Sequence, residues 1–216
     1  MNLFNEDNVV GALLNRIGDI VIANLLFLAC CIPVVTIGPA LTALYHCTLR
    51  MARGDSVGIV ITFFRALREN FRQSLAAWCL FLAAQAVLLA NLRFLLGQTS
   101  AAGRIFLYLS AAAEGFAVVG ALYLFPVIAA FRGNLKKLIG TAYFFAFRYF
   151  LSTIAVAMLT LLPMTVMYRD ARLWPLYAFC WFFFGFALTA LLCSLLLYRL
   201  FRPYLEKGEN KQDRRV

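Results

Sequence analysis

Glu114 is the only acid in "IFLYLSAAAEGFAVVGALYLFPVIAAF", the apolar stretch at residues 105–131. It stands ten residues beyond Arg104, which along a helix axis is about 15 Å. A carboxyl at that depth in lipid costs about 2.5–3.5 kcal/mol on insertion scales, so it turns to a bundle interior, a polar partner or water. Two kinds of chemistry are open to it. Protonated and donating to an amide, it clasps two helices together. Ionised beside a water-filled cavity, it carries a proton or a cation. The preceding apolar stretch offers Gln85 at a similar depth, Asn91 nearer the turn, and Arg93 as a counter-ion. Asn24, in the first apolar stretch, is a further polar residue suited to gluing helices.

Other reactive side chains are sparse. His46 is the single histidine, and none of the six cysteines forms a CxxC pair, so no zinc site can be assembled. The cysteines read as small packing residues, and His46 as a residue at the depth of the lipid headgroups. There is no phosphate-binding glycine loop, no HExxH and no GxSxG nucleophile elbow. The chain reads as a non-enzymatic protein with no catalytic residues, no metal and no cofactor.

The elements that must position these residues follow from composition. Hydrophobic residues make up 63% and charged residues 14% of 216, against about half and about a quarter in a soluble domain. The expected fold is an all-α, polytopic membrane helix bundle of about five crossings. Residues 1–203 form one membrane domain, and residues 204–216 a polar tail with the composition of a disordered segment. The N-terminus has no basic region followed by a cleavage site, so the first apolar stretch is expected to stay in the mature protein.

Residues 20–49 carry no formal charge, and as one helix they would be about 45 Å long against a hydrocarbon core of about 30 Å. "CIPVVTIGPALTALY" resolves the misfit with a corner. Pro33 disfavours helical dihedrals before it. Thr36 is placed to cap a new helix through the N–H of Gly38, with Pro39 in its first turn. The new helix is too short to cross and is expected to lie along the interface or lean out of it. In "VGIVITFFRALRENFRQSL", Arg65, Arg68 and Arg72 share a face opposite an apolar one, the pattern of a basic helix lying in a headgroup layer. Those arginines fit anionic headgroups or a cytoplasmic partner. Trp78, Trp174 and Trp181 fit an interfacial belt or lipid contact.

The segments 50–72, 132–148 and 199–216 hold fifteen Lys and Arg, and the rest of the chain five. The positive-inside rule puts the first set in the cytoplasm, with the N-terminus outside and the C-terminus cytoplasmic. The net charge of +10 is thus explained by topology, without nucleic acid.

Asn24, residues 33–40 (Pro-Val-Val-Thr-Ile-Gly-Pro-Ala), residues 42–45 and the pair Asn70 and Phe71 resemble the YesL-like family of small bacterial integral membrane proteins. "LYLFPVIAAF", at residues 122–131, is similar to a second, shorter signature of that family. The resemblance implies a bacterial cell-membrane protein of unknown molecular function, with genes often placed beside those for carbohydrate uptake. It brings no catalytic residue set. The expected function is an accessory or regulatory component linked to carbohydrate uptake, with a carbohydrate transporter as partner. The alternatives are a small homo-oligomeric transporter or channel using Glu114, and a structural membrane scaffold.

Overall fold

A computed structural model of the chain describes residues 9–55, 58–98, 100–169 and 174–213. Every described element is a helix. They are α1 (Val9–Cys30), a 3₁₀ turn (Val34–Thr36), α2 (Ile37–Arg53), α3 (Ile59–Leu96), α4 (Ala101–Ala130), α5 (Leu135–Arg148), α6 (Phe150–Arg169), α7 (Trp174–Cys180), a π-helical segment (Trp181–Gly185) and α8 (Phe186–Asp213).

Three of the described helical stretches are long and apolar enough to cross a membrane: Ile59–Leu96, Ala101–Ala130 and Trp174–Leu205. A fourth crossing results if α5 and the first part of α6, bent by 101°, are counted as one span. α1, with 22 residues or about 33 Å, would be a further span on length alone. The all-helical membrane class holds. Among the described residues, three helical stretches, or four with the bent pair, meet both the length and the composition of a crossing.

The corner at Pro33 is present. α1 stops at Cys30, and Pro33 is extended at φ −79° and ψ 121°. Thr36 stands at the start of α2, but its expected bond to the N–H of Gly38 is absent. Its hydroxyl lies 2.6 Å from the carbonyl of Cys30 and 2.7 Å from that of Pro33, and it donates to one at a time. Thr36 therefore closes the end of α1, where carbonyls lack partners.

α2 is enclosed by the other helices. Ten of its 17 residues are buried, and it forms the centre of the molecule. Its small residues allow close approach. A Cβ on Gly38 would sit 2.5 Å from Trp78 Cβ and 2.9 Å from the Ser74 carbonyl oxygen. Its hydroxyls bond outward: Ser74 donates to Thr42 at 2.8 Å, and Thr48 meets Ser194 of α8 at 2.7 Å. Hydroxyls and small residues of this kind hold helices together where lipid gives no hydrophobic drive.

α3 is one continuous helix of 38 residues, about 57 Å. The expected interfacial helix is thus the first part of the crossing helix itself, packed on α2 through Ile59, Thr62, Phe63 and Ala66. α4 returns antiparallel to α3, with Gln73 donating to the Gly133 carbonyl at 2.7 Å. α3 therefore runs on past the end of α4 by about 20 Å, counting back from Gln73 to Ile59.

"RGNLKKL", at residues 132–138, opens into α5. Leu138, Ala142, Phe145 and Ala146 form its buried face, while Lys136 and Lys137 are exposed. The bend into α6 is held by Thr153, which donates to Ala146 at 2.7 Å and meets Tyr123 of α4 at 3.0 Å. The tail expected as disordered continues α8 as far as Asp213, consistent with its Glu, Lys and Gln content.

Candidate functional site

The residues singled out by type separate into three places in the fold. The first lies between α3 and α4. Asn91 donates to Ser110 at 2.7 Å, which sets the register of the two helices. Glu114 is one turn from Ser110 on the same side of α4. Gln85 is six residues from Asn91, so the two side chains are out of step by about 3 Å along the axes. The expected hydrogen bond between Glu114 and Gln85 is not made. Gln85 Nε2 and Glu114 Oε2 are both buried, and among the described residues neither has a hydrogen-bond partner. Arg93 is exposed, and among the described residues it forms no ion pair with Glu114. The clasp between these helices is Asn91 with Ser110, and Ser110 carried no signal beyond being a small polar residue.

Asn24 belongs to a second place. It is fully buried, and its amide donates to the carbonyls of Trp181 at 3.0 Å and Phe182 at 2.7 Å. Its Oδ1 accepts from the N–H of Ala187 at 2.9 Å. A π-helical turn disturbs the regular backbone ladder and leaves polar groups that need other partners. Asn24 supplies them, so its expected role as helix glue is what the geometry shows, with backbone as the partner. Trp181 packs against Phe186 with ring centroids 4.7 Å apart. Trp78 likewise clamps the corner, donating from Nε1 to the Val34 carbonyl at 2.9 Å.

The third place is the basic end. Arg65, Arg68 and Arg72 are exposed on the part of α3 beyond α4, beside half-exposed Phe64 and Phe71. α8 and α5 close on the same end. Arg53 stacks over Tyr198 at 5.6 Å, and the Phe201 ring is 5.2 Å from Phe131 and 4.8 Å from Phe145. The three segments that the charge count assigns to one side of a membrane thus meet at one end of the molecule.

Within this end lies a polar cleft of about 360 Å³ between α2, α3 and the end of α4. His46 lines it, half-buried and bonded through Nδ1 to the Ala129 carbonyl at 3.2 Å. Arg50, Arg53 and Arg132 also line it, as do Asp55, Glu69 and Asn70. Arg50 reaches Asp55 at 3.5 Å. Except for His46, these residues were not candidates by sequence, because they come from three separate segments.

The architecture defines an all-helical protein with apolar helices of membrane-crossing length. The model of a family described as a protein of unknown function, DUF624, matches residues 20–92, which run from α1 through the corner and α2 into α3. No curated protein and no solved structure matched the chain.

Proposed function

We propose that the chain is a non-enzymatic accessory protein of the bacterial cell membrane that works through its basic end, held in the cytoplasm. The observation that carries this reading is the exposed row of Arg65, Arg68 and Arg72, presented on a stretch of α3 that overhangs α4. Such a row suits the anionic headgroups of the inner leaflet and a partner membrane protein alike. The likeness of residues 33–45 to the YesL-like family supports carbohydrate uptake as the setting and a carbohydrate transporter as the partner. The test is affinity purification in mild detergent followed by mass spectrometry, with Arg65, Arg68 and Arg72 all changed to Glu for comparison. A sugar-uptake transporter recovered with the parent protein and lost from the triple variant supports the role. Recovery of no transporter by either protein removes it and leaves a membrane scaffold.

A second reading, a small oligomeric transporter, has one observation in its favour: the unpaired Glu114 Oε2 and Gln85 Nε2 buried at nearly the same depth. A buried polar atom without a partner costs about 1–3 kcal/mol, which is tolerated where water or an ion serves it. On the accessory reading, Glu114→Gln keeps the shape and leaves both stability and growth on the transported sugar unchanged. Glu114→Leu removes an unpaired group and is neutral or slightly stabilising in thermal melts. Loss of sugar-dependent growth in a stably folded Glu114→Gln protein would move the assignment to a transporter.

A further inference from the structure

We infer that the cleft between α2, α3 and the end of α4 is a binding site for a phosphate ester that also carries hydroxyl groups. Its volume, about 360 Å³, falls in the range of small-molecule sites, about 300–1,000 Å³. Its donors are guanidinium groups, whose parallel N–H pairs match phosphate oxygens. Arg132 is exposed, and among the described residues it enters no ion pair. Arg53 rests over the face of Tyr198, 5.6 Å from the ring centre, which steadies the side chain and leaves its N–H groups free to donate in the plane of the guanidinium. Arg50 makes only a long, exposed contact with Asp55, at 3.5 Å.

The acceptors decide the rest of the ligand. Asn70 donates its amide to the Ala66 carbonyl at 3.1 Å, which leaves Oδ1 as an acceptor. Glu69 adds a carboxylate, and among the described residues it has no cationic partner. The α4 C-terminus adds the negative end of a helix dipole. These groups oppose a bare dianion and suit hydroxyl donors. A ligand with phosphate toward the arginines and hydroxyls toward Glu69 and Asn70 satisfies both sets. The phosphodiester headgroup of a glycerol lipid and a free polyol phosphate share this chemistry. The inference does not depend on what Arg65, Arg68 and Arg72 contact.

The probes are glycerol 3-phosphate, titrated calorimetrically into the protein in dodecyl maltoside, and vesicles of phosphatidylglycerol or phosphatidylcholine, from which the protein is extracted for native mass spectrometry. Saturable binding of glycerol 3-phosphate marks a soluble ester as ligand. Retention of phosphatidylglycerol over phosphatidylcholine, without glycerol 3-phosphate binding, marks a lipid headgroup. In either case Arg132→Gln, which removes a charge-assisted bond, is expected to weaken binding by about tenfold or more, and Asn70→Leu, which removes the hydroxyl acceptor, by about threefold or more. Arg104→Gln, at the far end of α4, is expected to leave it unchanged. Binding of neither probe by the parent protein overturns the assignment. So does an equal loss in Arg104→Gln, which would show only a diffuse charge effect.

Discussion

Asn24→Leu is expected to lower the stability of the detergent-solubilised protein by about 2–5 kcal/mol, three interhelical bonds at about 0.6–1.7 kcal/mol each. Leucine has the same branched skeleton and is bulkier, so none of the effect is a cavity. The loss arises because the carbonyls of Trp181 and Phe182 and the N–H of Ala187 lose their side-chain partner in a buried place. In a regular helix these groups would pair within the backbone, but the π turn displaces them. Asn24→Asp is expected to be worse than its shape suggests. It keeps the acceptor for Ala187 and loses both donated bonds, placing a carboxylate against two carbonyls. Thermal melts followed by tryptophan fluorescence check this directly, because Trp181 sits in the segment concerned. A melting temperature equal to that of the parent protein would mean that the π turn is satisfied without Asn24.

Gly38→Val is expected to destabilise by about 1–3 kcal/mol, the usual cost of overpacking a tight interface. A Cβ there meets Trp78 Cβ at 2.5 Å and the Ser74 carbonyl oxygen at 2.9 Å. Neither is the free end of a flexible side chain. To relieve the contact, α2 and α3 must move apart. That movement strains the Ser74–Thr42 bond at 2.8 Å and the Trp78–Val34 bond at 2.9 Å. Gly18 provides the control, because a Cβ there meets nothing within 4 Å. Gly18→Ala is expected to gain about 0.5–1 kcal/mol, the ordinary helix preference for alanine. If both substitutions behave alike in melts, the tight contact at Gly38 does not limit stability.

Prolines, charges and long apolar stretches were legible because each acts locally. Pro33 breaks a helix wherever its neighbours lie, so the corner could be read from residues 31–45 alone. The boundaries of α6 and of the Trp174–Leu205 stretch follow from continuous apolar sequence for the same reason. The position of α2 was not legible. Its length says that it cannot cross, but only the packing of Gly38 and Thr42 on Ser74, and of Thr48 on Ser194, says that it is central. The π turn left little local trace beyond Gly185, where a Cβ would meet the Trp181 ring at 2.6 Å. For Glu114, depth along the chain is readable and helix register is not, so sequence points to Gln85 while the bond falls to Asn91 and Ser110. The cleft around His46 was hidden because its arginines belong to segments more than seventy residues apart, at Arg53 and Arg132.

The central claim is that the basic end is the cytoplasmic working face, and sidedness tests it most directly. A cysteine-free protein carrying a single cysteine in place of Arg68 or of Gln98 can be treated with a membrane-impermeant maleimide, in intact spheroplasts and in inverted vesicles. Position 68 lies on the overhanging part of α3, and position 98 in the turn at the other end of the α3–α4 hairpin. The account predicts labelling of 98 in spheroplasts only and of 68 in inverted vesicles only. Labelling of 68 from outside intact spheroplasts would contradict it, because the arginine row would then face away from the cytoplasm and from any partner there.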